Sequence, residues 1–117
     1  MEEHRVIEKI DGIPERLLSR GFRRAGYGKW EWLRRFVVHT MGDEAKRSGK
    51  SAYKITFPSK QEKNNAQTTV HGCQGNKKSK HVHTQFRDPG LHATTRSEPV
   101  NNPGGAYYLY IEVTYEP

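Results

Sequence analysis

The stretch from Tyr107 to Tyr115 constrains the fold most, because its side chains alternate with a period of two over nine positions. Tyr107, Leu109, Ile111, Val113 and Tyr115 point one way; Tyr108, Tyr110, Glu112 and Thr114 point the other. That pattern belongs to a β-strand with one apolar and one polar face. A second strand is written in Tyr53, Ile55 and Phe57, which alternate with Lys54 and Thr56 before Pro58 ends the run. Gln67–His71 and His81–Phe86 read as shorter strands, and Asp88-Pro89-Gly90 is a strong turn signal.

The opening of the chain reads as helical. Val6, Ile7 and Ile10 are spaced for a short helix over Glu2–Ile10 that Asp11-Gly12 breaks. Pro14 and Glu15 suit a helix start, Leu17 and Leu18 supply apolar contacts, and Gly21 ends a second helix. Residues 22–41 carry two patterns. Trp30, Leu33, Phe36, Val37 and Met41 form a helical stripe, whereas Trp30, Trp32, Phe36 and Val38 form a strand face that Arg34 interrupts. The aromatic and β-branched content favours a strand over Trp30–His39. Polar, glycine-containing runs predict mobile loops near 42–50, 59–66, 72–80 and 94–105. The expected architecture is a single α+β domain over residues 1–117. Short N-terminal helices pack on a small antiparallel or mixed sheet that includes a C-terminal strand at 106–115.

Charge points to the class of partner. The formal net charge is +7, with 20 Lys and Arg against 13 Asp and Glu. The bases concentrate in two zones, Arg16–Arg35 and Lys46–Lys80, and none follows Arg96. A positive field of this kind attracts phosphate-bearing or acidic partners. The single cysteine, Cys73, cannot form an internal disulfide, so a cytoplasmic setting is expected. No apolar stretch approaches the length of a membrane span, and no membrane partner is expected.

The first functional expectation is a non-enzymatic nucleic-acid-binding protein, RNA favoured over DNA. Arg23, Arg24, Lys29, Arg34, Arg35, Lys54, Lys77 and Lys78 would contact phosphates, while Tyr108 and Tyr110 stack on bases. The second is a small ribonuclease of toxin type, with His81 or His83 as general acid or base and Lys80 or Arg87 on the phosphate. His81-Val82-His83 resembles the His-hydrophobe-His motif of rolling-circle nicking endonucleases, and Tyr53–Phe57 their first strand. The chain departs from that family in offering only strand tyrosines, such as Tyr110, where a helical nucleophilic tyrosine is needed. The third is an inhibitor or adaptor docking on an acidic protein surface. If the short segments were strands, His71 and Cys73 would share a face, as would His81 and His83. Their spacing matches no standard zinc module, so no metal or cofactor is expected.

Overall fold

The computed structural model describes residues 6–9, 28–75, 84–97 and 107–117, with Val6–Lys9 and Lys29 as backbone. Four strands, β1 (Val6–Lys9), β2 (Lys50–Phe57), β3 (Leu91–Ser97) and β4 (Tyr107–Tyr115), form one antiparallel sheet in the order β1-β2-β4-β3. The strand with the cleanest alternation, β4, lies between β2 and β3. Its register sets Ile111 opposite Tyr53 and Thr95, and Leu109 opposite Ile55 and Ser97. Among the described residues, helices cover one side of this sheet, so the chain is an α+β protein with its last strand at the C-terminal end.

The helical layer runs without a break from α1 (Lys29–Arg35) through a π-helical segment (Phe36–Met41) into α2 (Gly42–Ser48); α3 (Lys60–Gly72) follows β2. The expected strand over Trp30–His39 is therefore a helix. Leu33, Val37, Met41 and Ala45 are all buried at steps of four residues. On a 3.6-residue helix each such step drifts by about 40° around the axis, so three steps would turn Ala45 well away from the sheet. The π segment absorbs that drift. Its i→i+5 bonding, seen where the Gly42 N–H donates to the Val37 carbonyl, adds a residue to the turn and keeps the stripe on one face.

Several other expectations are corrected. Residues 6–9 of the helix placed at Glu2–Ile10 are instead β1, whose backbone pairs with β2 from Val6↔Thr56 to Lys9↔Tyr53. The loop expected near 42–50 is α2, closed by Gly49 in the left-handed conformation at φ 90°, a position suited to glycine. The loop near 59–66 and the strand Gln67–His71 together form α3, whose Ser59 side chain caps the helix by accepting from the Glu62 N–H at 3.2 Å. Residues 94–97 of the loop expected at 94–105 belong to β3, and Gln85 and Phe86 lie outside any strand. The helix expected over Pro14–Gly21 lies outside the described residues.

The core forms where the helices meet the inner sheet face. Phe36 stacks on Trp32 at 5.0 Å between ring centroids and meets Tyr53 edge-on at 4.9 Å. Ala66, Val70 and Cys73 bring α3 and its C-terminal cap against the same cluster as Ile55, Leu109, Ile111 and Val113. A carboxylate is buried beside it. Glu44 of α2 accepts hydrogen bonds from the Ser51 hydroxyl at 2.7 Å and from the Tyr53 hydroxyl at 2.8 Å. These bonds tie α2 to the edge of the core, as buried polar groups require.

The outer edge of β3 is partly closed by a side chain. Gln74 Nε2 donates to the Leu91 carbonyl at 2.8 Å, and Gln74 Oε1 accepts from the Ala93 N–H at 2.9 Å. One amide thus imitates the next strand's backbone and occupies groups that would otherwise template edge-to-edge pairing. Gln74→Ala should cost about 1–2 kcal/mol for two hydrogen bonds and increase self-association. Light scattering over a concentration series checks this, and a variant that associates no more than the parent protein refutes the protective role.

Candidate nucleic-acid interface

The period of two that buries Leu109, Ile111 and Val113 turns Tyr108, Tyr110, Glu112 and Thr114 to the opposite face of the sheet. The register then sorts residues of three strands onto that face. Tyr110 stands directly between Lys54 of β2 and Arg96 of β3, while Thr56 lies opposite Tyr108 and Thr94 opposite Glu112. Basic and aromatic residues therefore meet in adjoining rows although Lys54 lies more than 40 positions from Arg96 and from both tyrosines in the chain.

Both tyrosine rings carry a cation. Lys54 Nζ lies 5.1 Å from the centroid of the Tyr108 ring, and the Arg96 guanidinium carbon 4.7 Å from that of Tyr110. These distances fall within the range of cation–π attraction. The Arg96 guanidinium is thereby held beside the Tyr110 ring. Tyr108, Tyr110 and Lys54 are half-buried, while His92, Thr94 and Arg96 are exposed. A shallow depression of about 250 Å³ opens beside Tyr110 and Arg96, over the small side chain of Ala52. Glu112 bounds the patch and is itself occupied by Lys50 at 3.8 Å.

Two further residues expected at the interface, Arg34 and Arg35, are placed on another part of the protein. Arg34 and Arg35 belong to α1 in the helical layer, and Glu31 engages both, at 2.9 Å and 3.5 Å. Arg23, Arg24, Lys77, Lys78, Lys80, His81 and His83 lie outside the described residues, as does the side chain of Lys29. Arg96 was missed in the sequence because its segment carried no clear strand pattern. The signal was its place at an alternate position to His92 and Thr94, which makes all three neighbours on one face of β3.

The histidine and cysteine arrangement takes a different form from the one the sequence suggested. His71 sits on the exposed end of α3 with Nε2 2.9 Å from the Thr95 hydroxyl. Cys73 is fully buried, and burial pushes its thiol up to about 12, which makes it a poor nucleophile or metal ligand at neutral pH. Among the described residues no group of three or more His, Cys, Asp and Glu side chains is placed to hold a metal ion. Among the same residues, no helix is long and apolar enough to cross a membrane.

Among the described residues, the fold and this face define an α+β protein with helices on one side of an antiparallel sheet and basic and aromatic residues on the other. No protein-family model matches the chain, and neither the curated proteins nor the solved structures include a match to it.

Proposed function

We propose that the chain binds single-stranded nucleic acid, RNA ahead of DNA, on the sheet face opposite the helices. The observation that carries this reading is the placement of Lys54 and Arg96 over the Tyr108 and Tyr110 rings. Stacking platforms with adjacent cations are the two elements that non-specific recognition of a single strand uses. Tyr108 and Tyr110 stack on successive bases, and Lys54 and Arg96 meet the intervening phosphates. The net charge of +7 adds long-range attraction to the strand. RNA is favoured because the hydroxyls of Thr56, Thr94 and Thr114 share this face and can meet ribose 2′-hydroxyl groups.

Salt dependence tests the reading. Each phosphate neutralised on a single strand adds about −0.7 to the slope of log affinity against log salt concentration. Contacts from Lys54 and Arg96 alone predict a slope of about −1.4, and additional basic residues make it steeper. Fluorescence anisotropy with labelled oligonucleotides, run at several salt concentrations, measures it. Affinity that does not change with salt contradicts the proposal, and binding to neither RNA nor DNA points to an acidic protein partner instead.

A further inference from the structure

A second concavity, distinct from the sheet face, lies where the helical layer meets the turn before β3. It encloses about 390 Å³, within the range of small-molecule pockets of roughly 300–1,000 Å³. Val38, Phe86 and Leu91 supply apolar lining, and His39, Asp43 and Arg87 supply polar groups. The π segment helps to make this site: it keeps Val37 and Met41 in the core while His39 is exposed.

The commitments of these side chains are unequal. Lys46 also lines the cavity, but it is paired with Asp88 at 3.5 Å. Asp88 in turn accepts from the Gly90 N–H at 2.9 Å, so this ion pair belongs to the wall. The side chains of His39, Asp43 and Arg87 make no hydrogen bond or ion pair among the described residues. The cavity thus offers a planar guanidinium fork, an imidazole, one carboxylate and an aromatic ring. A bare anion would gain nothing from Phe86 and would meet the Asp43 carboxylate. A purely apolar ligand would leave Arg87 and Asp43 unused. The arrangement fits a ligand with a phosphate at one end, a flat ring at the other and donor groups between.

We propose that this cavity binds a nucleoside monophosphate unit, either free or as an unstacked nucleotide of a bound strand. Arg87 and His39 hold the phosphate, the base lies against Phe86, and Asp43 accepts from a ribose hydroxyl or an exocyclic amino group. In its strand form the inference rests on the nucleic-acid reading above; in its free form it stands alone.

Calorimetric titration of the full chain with AMP, GMP, CMP and UMP, and separately with inorganic phosphate, tests it. At least one nucleotide should bind, more tightly than phosphate. Arg87→Gln should weaken that binding about tenfold, the loss of one charge-assisted contact. Tyr108→Ala/Tyr110→Ala should leave it unchanged, which separates failure of this site from failure of the sheet-face reading. Both variants are checked by thermal melting, and His39→Gln serves if Arg87→Gln fails to fold. Displacement of a labelled strand by the nucleotide identifies the strand form, and binding without displacement the free form. The proposal is overturned if no nucleotide saturates the protein at millimolar concentration. Phosphate binding as tightly as the best nucleotide, or full affinity in the folded Arg87→Gln protein, overturns it too.

Discussion

Tyr53→Ala is expected to lower the stability of the protein by about 3–5 kcal/mol, the usual range for removing a large buried ring. Tyr53 has no exposed surface, meets Phe36 edge-on and donates to Glu44. Its truncation leaves a cavity beside a carboxylate that has lost a donor. The smaller change Tyr53→Phe isolates the second effect. It preserves the ring and removes the hydroxyl, which should cost about 1–3 kcal/mol for an under-satisfied buried acceptor. Urea denaturation measures both losses, and a Tyr53→Phe change below about 0.5 kcal/mol would show that the hydroxyl contributes little.

The same contact sets an alkaline limit. Burial first, and the hydrogen bond to Glu44 second, push the Tyr53 phenol well above the ordinary tyrosine range. A group whose folded-state pKa is raised favours folding while protonated. Its contribution is complete below its unfolded value of about 10 and is lost as pH rises beyond that. The parent protein should therefore lose stability above pH 10 more steeply than Tyr53→Phe.

The largest expected effect on binding comes from the paired substitution Tyr108→Ala/Tyr110→Ala. Stacking on an aromatic side chain is worth about 1–3 kcal/mol per base. Losing two platforms should weaken single-strand binding at least about thirtyfold. Every positive charge is kept, so the slope against salt should hold while the affinity falls. Lys54→Gln/Arg96→Gln should do the reverse, making the slope shallower by about 1.4. A tyrosine variant that binds as tightly as the parent would mean that the rings serve only to pair across the strands, a common role for aromatics on a sheet.

The strands β2 and β4 were legible in the sequence because each has one wet face, which imposes strict alternation. The helical layer was harder to read. Trp32, Leu33, Phe36, Val37, Met41 and Ala45 follow steps of four that a regular helix cannot keep on one side, and only the π segment reconciles them. In α3 only Ala66 and Val70 are buried, so its periodicity is faint and its polar composition resembles a loop. Its start was nevertheless written in Ser59 and Glu62, three apart, the spacing of a capping box.

The candidate interface was legible only in part. Tyr108, Tyr110 and Lys54 were marked by alternation, but their meeting with Arg96 depends on register across three strands, which local pattern does not encode. Arg34 and Arg35, prominent in a count of charges, are drawn into pairs with Glu31 on the helical layer. Net charge along the chain indicated the kind of partner without showing which face meets it.

A solution NMR titration with a short single-stranded RNA tests the central claim most directly. The account predicts that the largest shift changes fall on Lys54, Arg96, Tyr108 and Tyr110 and their neighbours on the outer face of β2, β3 and β4, with small changes along α1 and α3. Changes concentrated on the helical layer around Arg34 and Arg35, or no saturable change at all, would contradict it.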